Sequence, residues 1–164
     1  MPIPTSRLEL LRTLWTNPVG IRALLWSKLP LAAFAGLRVL RLDDEGAEVS
    51  LPAGWKTQNP FQSTYFAAQA MAAEMSTGAP AMIYIEETGT KFSFLVTGLT
   101  AKFSKKAVSR VVFAFREGAQ MKAAIAEAAR SGEPVVFTAR SIGTQEDGAQ
   151  VAEFEINWSF KKRS

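Results

Sequence analysis

Asn59-Pro-Phe-Gln-Ser-Thr-Tyr-Phe-Ala-Ala-Gln-Ala-Met-Ala-Ala-Glu-Met-Ser-Thr77 is the stretch that decides the fold. From Gln62 to Thr77 it is rich in alanine and also carries Tyr65, Phe66, Met71 and Met75. Apolar residues fall on nearly every side of a 3.6-residue repeat. A helix of that kind is enclosed on all sides, so Tyr65, Phe66 and Met71 are expected to be buried. Gly78-Ala79-Pro80 is expected to stop it.

Upstream, Leu37 to Leu42 reads as a strand, Asp43-Asp44-Glu45-Gly46 as a turn, and Ala47 to Leu51 as the partner strand. Before the hairpin, Thr5 and Ser6 can cap a helix in which Leu8, Leu11, Leu14 and Trp15 recur at helical spacing. Asn17-Pro18 ends that helix and opens a second one, which reaches about Leu29 and is broken by Pro30. Downstream, Ala81 to Glu87 fits strand or helix, its β-branched and aromatic content favouring strand. Lys91–Lys102, Ser109–Arg116, Pro134–Arg140 and Val151–Lys161 are strand candidates, with an amphipathic helix from Ala119 to Arg130. Alternation is clearest in Val151-Ala-Glu-Phe-Glu-Ile-Asn-Trp-Ser-Phe160.

An antiparallel sheet wrapped around one apolar helix satisfies this order. That is an α+β architecture with extra N-terminal helices. No repeat or linker divides the chain, so residues 1–164 are expected to form one domain, with 1–30 a helical extension packed on it. A one-layer sheet leaves its outer face and edges in need of cover. We therefore expect a homodimer or homotetramer, with the central helices near the two-fold interface.

Composition removes several chemistries. Without cysteine there are no disulfides, thiolate metal sites or thiol nucleophiles. Without histidine there is no Ser-His-Asp triad and no histidine-ligated metal. Acid–base work must fall to Asp, Glu, Lys or Tyr, and no cofactor or metal is expected. The net charge of +4 is spread along the chain with no basic-aromatic run, which argues against nucleic acid. MPIPTSRLELL lacks the features of a secretory signal. Arg22, Lys28 and Pro30 interrupt the apolar stretch Val19–Leu40, so it falls short of a membrane span. The absence of cysteine fits the cytoplasm. An N-terminus with Trp15 and Trp26 permits docking on a membrane surface, although docking on the sheet explains the same residues.

Three features point to a site. Glu74 lies in the middle of the buried helix, on one face with Ser63, Ala67, Ala70 and Met71, where small side chains leave room for something flat or elongated. A buried carboxylate is paired, protonated or functional; the alternative to chemistry is a lysine partner at a subunit interface, or solvent. At the start of the helix, Asn59 and Gln62-Ser63-Thr64 bring caps and free N–H groups to a terminus that stabilises negative charge on a carbonyl oxygen. Ordinary capping accounts for Ser63 or Thr64 equally well. Lys102, Lys105, Lys106 and Arg110 form a basic cluster that meets the phosphates of coenzyme A or guards an edge strand.

Asn59-Pro-Phe-Gln-Ser63, Tyr65-Phe66-Ala67 and Met71-Ala-Ala-Glu74 together resemble the central-helix signature of PaaI-like hot-dog thioesterases. Within that superfamily the chain is most similar to the branch called domain of unknown function 4442. Leu99 to Ala107 resembles the strand and turn that follow in the same proteins. The resemblance implies an acyl-CoA thioesterase fold with active sites at a dimer interface and an acyl thioester as substrate. Glu74 occupies the position of the carboxylate that activates water or attacks the thioester. The Phe66 amide occupies that of the oxyanion donor, and Asn59 and Ser93 those of supporting polar groups. Gln62, Ser63, Tyr65, Ala67 and Ala70 would line the substrate, and Lys102, Lys105 and Lys106 the carrier. The chain departs from the family where His-Gly-Gly is replaced by Tyr65-Phe66-Ala67 and a glycine by Gln62. A hot-dog protein that binds an acyl group or lipid without hydrolysis is the alternative.

Overall fold

The computed structural model describes residues 7–163. Three helices come first, α1 (Arg7–Thr16), α2 (Pro18–Lys28) and α3 (Pro30–Ala35), followed by the hairpin β1 (Arg38–Leu42) and β2 (Ala47–Leu51). The long helix α4 (Phe66–Glu87) is followed by β3 (Phe92–Phe103), β4 (Val111–Phe115), α5 (Gly118–Ser131), β5 (Val135–Gln145) and β6 (Gln150–Lys162). The strands form one antiparallel sheet in the order β1-β2-β4-β5-β6-β3. α4 packs across one face of it, the hot-dog arrangement. Thr5 and Ser6, expected to cap α1, lie outside the described residues.

The sheet obeys a period of two. Along β6, Phe154, Ile156, Trp158 and Phe160 turn inward and are buried, while Glu153, Glu155, Asn157 and Ser159 turn outward. Phe113 meets Phe154 edge to face at 5.7 Å, and α5 adds Met121, Ile125 and Ala128 to the same core. The outer face is polar along β6, while Leu95 and Val136, on either side of Ser159, leave apolar side chains exposed there. The N-terminal helices bury Trp15, Ile21, Leu25, Ala32 and Ala35 in this core. Arg12 and Lys122 both pair with Asp44 and Glu87, tying α1, the β1–β2 turn, α4 and α5 together.

α4 corrects the sequence reading at both ends. It begins at Phe66 instead of Gln62, and it runs through Gly78 and Pro80 to Glu87, so Ala81–Glu87 is helix and not strand. Glycine and proline disfavour a helix interior by about 1 and 3 kcal/mol. Every residue from Met75 to Ala81 is buried, however, and leaving the helix there would strand backbone N–H and C=O groups in the core. Tertiary burial outweighs local propensity.

The β1–β2 turn is held by Asp43, whose Oδ1 accepts from Glu45 N–H and Gly46 N–H at 2.9 and 3.3 Å. Gly46 has φ 149°, and a Cβ there would lie 2.0 Å from the Phe115 carbonyl oxygen. Gly46→Ala is expected to destabilise the fold by about 3 kcal/mol, seen as a melting temperature lower by about 10 °C. An unchanged melting temperature would contradict this turn geometry.

Candidate active site

The loop before α4 is built on one asparagine. Asn59 Oδ1 accepts from Phe61 N–H at 3.0 Å, and from Ser63 N–H and Oγ–H at 3.2 Å each. Gln62, at the tip, has φ 59°, the one non-glycine positive φ among the described residues. A glycine would reach that conformation without a Cβ penalty, so Gln62 holds strain at this tip. Thr64 N–H donates to Ala107 O and Tyr65 N–H to Thr57 O, both at 2.7 Å, clamping the loop between its neighbours. Asn59→Ala removes three acceptor contacts at a strained turn. It is expected to cost about 1–2 kcal/mol and to raise amide exchange at Phe61 and Ser63; unchanged exchange would count against this account.

Tyr65 is the N-cap of α4 and makes no side-chain capping bond, so Ser63 and Thr64 do not cap the helix as one sequence alternative had it. Ala68 N–H and Gln69 N–H donate to Tyr65 O at 3.1 and 3.2 Å. The Phe66 and Ala67 N–H groups stand at the helix start, where no intrahelical acceptor exists. Phe66 lines an open groove of ≈ 560 Å³, together with Asn59, Ser63 and Tyr65 and with Phe103, Lys105 and Lys106. Gln69, missed by the sequence reading as a site residue, also lines it. Its Nε2 donates to Thr64 O at 3.1 Å, and its buried Oε1 has no donor.

Glu74 lies eight residues after Phe66, about 12 Å along the helix axis. Among the described residues its carboxylate makes no hydrogen bond or ion pair, and burial pushes its pKa above the usual carboxylate range. The slot that holds it is made by a missing side chain. A Cβ on Gly78 would lie 3.2 Å from Glu74 Oε1 and 3.2 Å from the Trp158 ring. Thr77 Oγ1 donates to the Glu74 carbonyl at 2.9 Å and accepts from Trp158 Nε1 at 2.9 Å, fixing the indole beside the carboxylate. No sequence signal marked Trp158 or Gly78 as neighbours of Glu74. Ala67, Ala70 and Met71 share the half-buried face of α4 with Glu74, as the spacing implied.

The remaining candidates scatter. Gln62 is exposed at the loop tip. Lys105 pairs with Asp147 at 2.9 Å, and Lys106 Nζ donates to Phe61 O at 3.4 Å across the groove mouth. Lys102 lies opposite Glu153, on the outer face of the sheet, and Arg110 pairs with Glu146 at 3.4 Å. Ser93 is at the other end of β3, opposite Lys161, and does not join the groove within one chain.

The expected burial of Tyr65, Phe66 and Met71 is not what one chain shows. Tyr65 and Phe66 are 47% and 57% exposed, and Met71 is half-buried. On β3, Val96, Leu99 and Phe103 lie opposite the inward-facing Trp158, Ile156 and Ala152, yet all three are exposed. β3 is an edge strand of 12 residues with one side of its backbone unpaired. An apolar, unpaired edge of this length is a template for another strand.

The family model described as "Domain of unknown function (DUF4442)" matches residues 20–160. Three solved structures resemble the chain along nearly its whole length. A Pseudomonas aeruginosa protein of unknown function, described as a "probable thioesterase", is 23% identical with a TM-score of 0.70, covering 99% of each chain. A protein of unknown function from Chlorobaculum tepidum is 13% identical with a TM-score of 0.76, over 94% of this chain and 96% of that one. A thioesterase from Haemophilus influenzae is 11% identical with a TM-score of 0.64, over 91% and 95%. No curated protein matches the sequence. Among the described residues, no helix is long and apolar enough to cross a membrane.

Proposed function

Since the chain belongs to the DUF4442 family, a branch of the hot-dog thioesterase superfamily, we propose that it hydrolyses acyl thioesters, acyl-CoA foremost, with Glu74 as the proton acceptor. The observation that carries this reading is the Glu74 carboxylate. Among the described residues it has no partner, it lies half-buried near Trp158, and burial raises its pKa, the direction that suits a general base. Glu74 takes a proton from water, the water oxygen adds to the thioester carbonyl, and the Phe66 N–H holds the oxygen as it becomes negative. Collapse of the adduct breaks the C–S bond, and the proton held by Glu74 passes to the departing sulfur, leaving the acid and the thiol. Asn59 holds the groove loop in shape and orients substrate or water, while Lys105 and Lys106 stand where carrier phosphates reach the groove mouth.

Two copies of the chain complete the site. Within one chain, Phe66 N–H and Glu74 are about 12 Å apart along α4, too far to act on a single carbonyl. Pairing of two β3 edges covers Val96, Leu99 and Phe103 and brings the exposed faces of two α4 helices toward one another. The helix start of one subunit then works with the carboxylate of the other. A screen of acyl-CoA esters from short to long chains, read by free-thiol release, tests the proposal; no release from any of them would overturn it.

One observation favours the non-hydrolytic alternative. Phe66 carries a bulky ring, 5.0 Å from that of Tyr65, on the residue whose N–H a carbonyl must approach. An acyl chain that co-purifies with the protein while no thiol is released would establish that alternative.

A further inference from the structure

The outward surface of α2, α3 and the loop after β2 combines open apolar side chains with cations and no acids. Trp26, Leu31 and Trp55 are 59%, 67% and 73% exposed, and Val19, Leu29 and Phe34 are exposed beside them. On α2, Val19, Arg22 and Trp26 recur at helical spacing on an exposed face that flanks the buried Ile21 and Leu25. Phe34 and Trp55 meet edge to face at 6.0 Å, and the Lys56 ammonium lies 4.9 and 5.9 Å from their ring centres. From Leu10 to Leu42 the charged residues are Arg12, Arg22, Lys28, Arg38 and Arg41, and from Val49 to Ala73 Lys56 alone. Neither stretch contains an Asp or Glu.

We propose that this face docks the protein on an anionic lipid surface. Trp26, Leu31, Phe34 and Trp55 enter the boundary between headgroups and acyl chains, where tryptophan is at home and aliphatic side chains leave water. Arg22, Lys28 and Lys56 meet lipid phosphates, their stems lying along the apolar patch and their charges reaching outward. Charge selects lipid over a second copy of the chain. A two-fold self-contact would set Arg22, Lys28 and Lys56 against their own equivalents with no carboxylate between them, and lysine is depleted from protein interface cores. The placement also joins docking to the groove. Asn59 follows Lys56 by three residues, and the Gln58–Thr64 bridge ties the docking loop to the start of α4. An acyl substrate drawn from a bilayer would therefore meet the groove near the surface that holds it. The docking itself does not depend on hydrolysis.

The test is sedimentation of the full chain with vesicles of phosphatidylcholine alone, and with vesicles of equal parts phosphatidylcholine and phosphatidylglycerol. Binding to the mixed vesicles, weak binding to phosphatidylcholine alone and release by high salt are expected. Tryptophan emission reports the same event site by site. Trp15 and Trp158 are only 3% and 4% exposed, so a blue shift and loss of acrylamide quenching on vesicles arise from Trp26 and Trp55. The double variants Trp26→Ser with Trp55→Ser, and Lys28→Glu with Lys56→Glu, are each expected to weaken partitioning by about tenfold or more at an unchanged melting temperature. A wild-type protein that stays in the supernatant with the mixed vesicles at low salt overturns the proposal, as does undiminished binding by both variants. A change in assembly mass in these variants, without vesicle binding by the wild type, would assign the face to self-association instead.

Discussion

Replacing Glu74 with Gln is expected to lower thioester turnover by about 10²–10⁴-fold while leaving the protein folded and, at neutral pH, more stable. The size of the side chain is kept and only the proton acceptor is lost. The stability change follows from the direction of the pKa shift. Burial raises the folded-state value above the ordinary carboxylate value, so between the two values the folded protein binds more protons than the unfolded chain. Stability conferred by the protonated group is complete below the unfolded value and is lost as pH rises through the folded one. The Gln variant lacks that loss. Its melting temperature is expected to match the wild type in acid and to exceed it at neutral and alkaline pH. The opposite result has a distinct meaning. If a cation from another subunit meets Glu74, the substitution strands that charge, and stability falls by about 3–5 kcal/mol. Unchanged turnover in an otherwise active protein would remove Glu74 from the chemistry.

The second large effect is expected from Leu99→Arg. Leu99 sits in the middle of the unpaired β3 edge, opposite Ile156 on the inner side of the sheet, and is exposed in the single chain. A guanidinium there does little to the chain itself, since the site is already open to water. Between two β3 edges it would face its symmetry-related copy in an apolar seam, and burying such unpaired charge is prohibitive. Light scattering is expected to give a dimer or tetramer mass for the wild type and a monomer mass for the variant. Turnover should fall with the assembly while the melting temperature of the chain is retained. A wild-type monomer at micromolar concentrations would remove the two-subunit site, and a monomeric variant with full turnover would place the whole reaction within one chain.

The alternation from Val151 to Phe160 made β6 legible, because a half-buried strand writes its burial into every second residue. The hairpin around Asp43 to Gly46 was legible through its turn chemistry. The end of α4 was not. Gly78 and Pro80 are stop signals by local propensity, and only the tertiary fact that they lie in the core reverses them. Tyr65 and Phe66 show a different limit: apolar character says that a side chain seeks cover, but not whether its own chain provides it. Glu74 stood out as a lone carboxylate among alanines. Its slot did not, because the glycine and tryptophan that form it lie 80 residues apart, at Gly78 and Trp158. Gln69 was visible as a rare polar residue in an apolar helix, yet its orphan acceptor is a fact of packing.

The sheet order has a consequence for synthesis on the ribosome. Among the described residues, β3 pairs with β6 alone, through contacts such as Phe103 with Ala152 and Phe92 with Lys162. A ribosome adds roughly 5–20 residues per second, so β3 waits roughly 2–10 s after its own completion before Gln150 and the rest of β6 begin to emerge. Throughout that interval both backbone edges of β3 are open, and Phe94, Val96, Leu99 and Phe103 have neither β6 beside them nor a second subunit. The edge proposed for dimerisation is thus also the point where the growing chain is open to misassembly, and holdase chaperones are expected to act first on nascent chains stalled between β3 and β6.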